Sequence, residues 1–143
     1  MSVETILGQK GREIITIGRE QSLAQAAHLL AEKRIGAVVV SDGSGALQGI
    51  LSERDIVRAL ARHGALALDA PVSAHMTADV VTCTRQAAVN DLMEIMTKGK
   101  FRHIPVVENG TLVGIISIGD VVKSRVAEIE AESQALKDYI ATA

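Results

Sequence analysis

Two aspartates close the same short phrase, Ser52-Glu53-Arg54-Asp55 and Ser117-Ile118-Gly119-Asp120, at an offset of 120 − 55 = 65 residues. A carboxylate presents two acceptor oxygens, enough to hold both hydroxyls of a cis-diol. The same Ser-x-x-acid spacing also writes a helix capping box, in which the acid reaches back to the cap amide. Both uses stand open at this point. Arg54 lies inside the first phrase, and Arg102-His103 opens the apolar run Ile104-Pro105-Val106-Val107 that leads to the second. Side chains alternate along a strand, so one of Arg102 and His103 is expected to face a cleft. Arginine's forked donors match a phosphate, and histidine adds another donor. Arg54, Arg102 and His103 are therefore candidates to converge on an anion; the plain alternatives are a solvated strand start and an exposed helix position.

Other reactive side chains do not assemble into anything. Cys83 is the single cysteine, which excludes an internal disulfide and a multi-cysteine zinc site. It reads as a small buried hydrophobe in mid-strand. His28, His63 and His75 are scattered without metal-ligand spacing. There is no phosphate-binding P-loop or dinucleotide glycine motif, and Gly43-Ser44-Gly45 reads as a turn. Catalysis is not expected, and no cofactor is required. A net charge of −2 and 1% aromatic residues leave no electrostatic or stacking footprint for nucleic acid. No apolar run approaches a membrane span, and no signal-peptide pattern opens the chain. A soluble, cytoplasmic protein is expected.

The elements that must position these residues come in two rounds. Hydrophobic residues make up 48% of the 143, against 22% charged, which supports a sizeable aliphatic core. Ser2 to Gln9 is helical in spacing, with Ser2 as its cap. Ile14 to Ile17 then reads as a strand, Ser22 opens a helix, Ala37–Ser41 and Leu47–Leu51 read as strands, and a helix runs from Ser52 to about His63. After a connection, the order repeats: a strand at Val80–Cys83, a helix at Ala88–Lys98, strands at His103–Val107 and Leu112–Ser117, and a helix from Asp120. Asn109-Gly110 supplies the tight turn between the last two strands. Gly49-Ile50-Leu51-Ser52-x-x-Asp55 answers Gly114-Ile115-Ile116-Ser117-x-x-Asp120, so the chain is an internal duplication. The expected division is 1–12 for an N-terminal helix, 13–63 for the first repeat, 64–77 for a linker, 78–123 for the second repeat and 124–143 for a C-terminal helix. The fold class is α/β (α+β): two β-α-β-β-α units packed about a pseudo-twofold axis. Thr16 and Thr82 fall at matching points on the first strands and are candidates for a ligand's polar edge.

These motifs, with Phe101-Arg102-His103-Ile104-Pro105-Val106-Val107 and the lead-in His75-Met76-Thr77, resemble the cystathionine β-synthase (CBS) domain family in its tandem arrangement, the Bateman module. The resemblance spans about Glu13 to Val122. It implies clefts between the copies that bind adenosine-containing ligands, with Asp55 and Asp120 on ribose hydroxyls, Ser52 and Ser117 capping beside them, and homodimers shaped as flat discs. Adenine is then expected against Ile35–Val38 or Phe101–Ile104. Gly36 and Ala37 stand where the second copy has Arg102 and His103, so the two clefts are expected to be unequal. AMP is the first-ranked ligand, with ATP, ADP and NAD(H) behind it and S-adenosylmethionine disfavoured by the cations. The expected role is a stand-alone regulatory module acting on a separate, unidentified protein target; the alternative is a ligand-free scaffold working through dimerisation.

Overall fold

β-Branched runs and turn residues set the strands of the computed structural model, which describes residues 1–11 and 13–142. Strand β2 (Ala37–Ser41) is buried at every position. It lies between β1 (Thr16–Ile17), which runs parallel to it, and β3 (Leu47–Ser52), which runs antiparallel. In the second copy β4 (His103–Glu108) turns directly into β5 (Thr111–Ser117). Asn109 and Gly110 take φ of 51° and 78°. Both central residues are thus left-handed, as the favoured two-residue hairpin turn requires.

The strand expected at Val80–Cys83 is reduced to one bridge. Cys83 donates to the Pro105 carbonyl at 3.0 Å and accepts from the Val107 amide at 2.9 Å. Val80 and Val81 leave the ladder and turn toward a cavity. The copies therefore hold a three-stranded and a two-stranded sheet.

Helix starts follow the cap residues. Ser22 and Gln25 form a capping box at α2 (Leu23–Lys33), and Ser52 with Asp55 forms another at α3 (Glu53–His63). Two 3-10 turns, Gly64–Asp69 and Val72–Ala74, connect the copies. Helix α4 (Val89–Gly99) starts after Ala88, which has no side-chain oxygen to offer. Helix α5 (Ile118–Thr142) runs unbroken for 25 residues, so the expected boundary at residue 124 falls inside one helix. Ser2 stands at the start of α1 (Val3–Lys10) but makes no side-chain cap bond. The first α1 amides find other partners: Val3 donates to the Ala87 carbonyl and Glu4 to the Arg85 carbonyl, both at 3.0 Å.

Those two bonds have exact counterparts in type. Val72 donates to the Gln21 carbonyl at 2.7 Å and Ser73 to the Arg19 carbonyl at 2.9 Å. Gln21 and Arg19 precede Ala87 and Arg85 by the repeat offset of 66 (87 − 21 and 85 − 19). So α1 and the turn at Val72–Ala74 are equivalent lead-ins, and each crosses to the other copy. Val3 and Ile6 are buried with Leu92, Met96, Ile104 and Ile116 in the core of the second copy. Val72 is buried with Leu23, Val38, Leu51 and Ile56 in the core of the first.

Candidate functional site

The strand-to-helix corners carry the chemistry. The Glu53 amide donates to the Gly36 carbonyl at 2.9 Å, and the Ile118 amide to the Arg102 carbonyl at 2.8 Å. Each bond pins the start of a β2-type strand to the start of the helix after the hairpin. Asp55 and Asp120 sit one turn into those helices. Both cap: the Ser52 amide donates to Asp55 Oδ2 at 2.9 Å, and the Ser117 amide to Asp120 Oδ2 at 2.9 Å. In each box the acid's own amide donates back to the serine Oγ, at 3.3 Å and 3.1 Å. Capping is thus the established job of both acids. Among the described residues, the side-chain hydrogen bonds recorded for each carboxylate fall on Oδ2, leaving Oδ1 for other use.

Around Asp55 the two copies enclose a cavity of about 410 Å³, within the range of about 300–1,000 Å³ typical of small-molecule sites. One wall is α3 with Ser52, Glu53, Arg54, Asp55 and Arg58. The facing wall is the α4–β4 junction with Lys100, Phe101, Arg102 and His103. Gly36, Ala37, Ile50, Thr77, Val80 and Val81 supply small and apolar surface, and Asp79 lies at the rim of the same segment. Lys100 takes a left-handed φ of 58°, ending α4 and turning the chain toward the cavity. The Phe101 ring rests over Gly99, where a Cβ would run into it. Four permanent cations and three carboxylates thus share this lining with an apolar floor.

The equivalent position in the second copy is taken by α1. Lys10 Nζ donates to Asp120 Oδ2 at 2.7 Å and to the Ile115 carbonyl at 2.9 Å. Leu7 covers Gly114. In the first copy the corresponding strand face is met by Met76 and by Thr77, whose backbone bonds Ile50 in both directions at 3.0 Å and 2.9 Å. Burial raises the Asp120 pKa, but hydrogen bonds from Lys10 and Ser117 outweigh it and hold the carboxyl below its ordinary value. His103 lies between the two corners. Burial first, and the Lys10 charge second, push its imidazole below the ordinary histidine value against the pull of Asp120 and Glu53. A neutral imidazole is a donor and an acceptor at once.

The structure brings together Ser52, Arg54, Asp55, Arg102 and His103 in one cavity. Arg102 and His103 both line it, where strand alternation led us to expect one. Ser117 and Asp120 belong instead to the corner held by Lys10. Thr16 and Thr82 are exposed and lie off the cavity wall. Cys83 is half-buried, and its thiol is pushed up to about 11 by burial and then by Glu108, which disfavours the nucleophilic thiolate at neutral pH. Arg58 and Lys100 were not anticipated. Arg58 follows Arg54 by four residues on one helix face, a signal the sequence does carry. Lys10 carries no local signal, because its partner lies 110 residues away.

The CBS domain profile matches residues 10–62 and 72–127. Among solved structures, the chain is similar to the CBS-domain containing protein ATU1752 from Agrobacterium tumefaciens, at 51% identity and a TM-score of 0.85, covering 87% of this chain and 99% of that one. It is similar to CBS domain protein PAE2072 from Pyrobaculum aerophilum, solved in complex with AMP, at 28% identity and a TM-score of 0.78, covering 93% and 99%. The CBS domain pair of protein MJ0100, solved with 5′-methylthioadenosine and S-adenosyl-L-methionine, is 26% identical with a TM-score of 0.79, covering 90% and 98%. The chain spans 62% and 61% of the length of two curated relatives that are 38% and 35% identical to it.

Proposed function

Because the chain belongs to the CBS-domain family and carries the domain twice, we propose that it is a regulatory module whose Asp55 cavity takes an adenosine-containing ligand. The observation that carries this reading is the composition of that one cavity. Asp55, whose Oδ1 lies outside the capping bonds, takes a ribose hydroxyl in this reading, and Arg54, Arg58, Lys100, Arg102 and His103 line the same space. The apolar surface of Ile50, Val80 and Val81 suits a purine face, with backbone groups reading its edge. Ligands seen in relatives support the class: AMP in PAE2072, and 5′-methylthioadenosine with S-adenosylmethionine in MJ0100. The surplus of cations here favours a phosphate over a sulfonium, so AMP ranks first, followed by ATP, ADP and NAD(H). The Lys10 bond to Asp120 supports one ligand per chain.

A ligand touching α3 on one side and the α4–β4 junction on the other ties the two copies at one angle. It regulates if it distinguishes two such angles, and the output passes to a partner protein. A homodimer in the cytoplasm completes this reading. Thermal unfolding with AMP, ADP, ATP, NADH and S-adenosylmethionine tests it. A ligand at about 100 times its dissociation constant adds about 2.7 kcal/mol, several degrees for a domain of this size. The shift is expected with AMP and is expected to vanish in Arg102→Ala, an exposed position whose loss leaves folding intact. No shift with any of the five overturns the sensor reading in favour of a scaffold.

A further inference from the structure

The outer half of α5 stands clear of the body. Every residue from Ile129 to Thr142 is exposed, and a lone helix of that length is marginal in water. Yet it is studded with large apolar side chains: Ile129 is 49% exposed, Leu136 60% and Ile140 64%. These continue a row begun by Val122 at 50% and Val126 at 47%. The steps from Val122 to Val126, Ile129, Ser133, Leu136 and Ile140 alternate four and three, the 3.5-residue period of a coiled-coil seam. The body is held by a different face, through Val121 and Ser124. At about 100° per residue, the seam points roughly 130° away from that face.

We propose that this seam is covered by the same seam of a second copy, as a parallel two-stranded coiled coil over 122–140. The flanking charges select both partner and direction. In a parallel pair, each residue just before one seam position meets the residue just after the next seam position of the other helix. That places Arg125 against Glu130 of the second copy, and Glu132 against Lys137 of the second copy. Both pairs are attractive and each occurs twice by symmetry. In the fully overlapped antiparallel register, Glu130 meets Glu130, Glu132 meets Glu132, and Lys123 meets Lys137. All three are repulsive. A membrane surface does not fit either, since 122–142 carries three cations against four carboxylates. The proposal is independent of what the cavity binds.

The test is the mass of the full chain in solution at micromolar concentration. A dimer, twice 15.1 kDa, is expected, and a monomer overturns the proposal. Ile129→Glu with Leu136→Glu, both at exposed positions, is expected to give a folded monomer with unchanged thermal unfolding of the body; a surviving dimer refutes this seam. A charge swap keeps the proposal falsifiable if that variant misbehaves. Glu132→Lys turns two attractive pairs repulsive and weakens the dimer on the order of tenfold; adding Lys137→Glu restores it. Absence of that rescue refutes the parallel pairing. Leu136→Cys in a Cys83→Ser background cross-links to itself only in the parallel arrangement, and failure to cross-link on oxidation counts against it.

Discussion

Gly49 and Gly114 occupy the same place in the two copies, but the structure gives them different neighbours and therefore different tolerance to a methyl group. A Cβ at Gly49 would stand 2.7 Å from Met76 Sδ and 2.8 Å from the Thr77 carbonyl oxygen. The methionine can swing aside. The carbonyl cannot, because Thr77 is bonded to Ile50 in both directions. Gly49→Ala must either overpack, at about 1–3 kcal/mol, or part the two chains and lose two backbone bonds at about 0.5–1.5 kcal/mol each. Either route comes to about 1–3 kcal/mol, which for a domain near 150 residues lowers the melting temperature by roughly 2–12 °C. At Gly114 the new Cβ would meet Leu7 Cδ2 at 2.5 Å, the far end of a half-buried side chain that can turn away. Removing a strand glycine returns about 0.5–1 kcal/mol at both sites, so the contrast rests on the contacts, and Gly114→Ala is expected to cost less than about 1 kcal/mol. Urea and thermal unfolding of the two variants measure the difference. Equal losses, or a larger loss at Gly114, would show that the backbone contact at Thr77 does not set the tolerance. Because Ile50 and Thr77 also line the cavity, Gly49→Ala is expected to weaken ligand binding as well.

Three further outcomes follow from the same geometry. The folded-state pKa of His103 is depressed, so the unfolded chain binds more protons below about pH 6.5 and stability rises with pH there. Stability is full above that pH and falls as pH drops through the folded value; His103→Gln is expected to flatten this slope in unfolding curves taken from pH 8 downward. Lys10→Met removes the cation from Asp120, whose carboxyl is expected to titrate at higher pH by NMR; an unmoved Asp120 titration would contradict the assignment. Val3→Ala and Val72→Ala each delete two methyl groups from sites that are 0% exposed, at about 2–3 kcal/mol. Each is expected to lower one cooperative transition, and a split transition in calorimetry would refute the shared cores.

Much of this was legible in the sequence for local reasons. Asn109-Gly110, the valine runs and the Ser-x-x-Asp corners encode their geometry within a few residues, and the structure keeps them. The crossing of the lead-ins was hidden because Val3 and Val72 are offset by 72 − 3 = 69 residues, whereas the bodies repeat at 65 or 66. Three extra residues around Lys10 mask the match. Those same residues deliver the ammonium to Asp120, so the break in symmetry and the missed contact have one origin. The strand expected at Val80–Cys83 failed for the opposite reason. Its β-branched residues are right for a ladder, but only Cys83 finds backbone partners, at Pro105 and Val107. At the cavity, residue types identified Asp55, Arg54, Arg102 and His103, while the closing wall depended on where the linker runs.

The crossed lead-ins also bear on how the two copies can move. One strap ties the start of α4 to Met1, through the Val89 amide and the Met1 carbonyl at 3.2 Å; the other ties the start of α2 to Ala70, through Leu23 at 3.0 Å. Two tethers on opposite sides of a twofold axis resist pulling apart and resist opening on either side. Torsion about that axis breaks neither tether and is the motion expected to cost least. Because each core borrows its lead-in from the other copy, cutting the chain between 64 and 70 is not expected to yield two halves that fold separately.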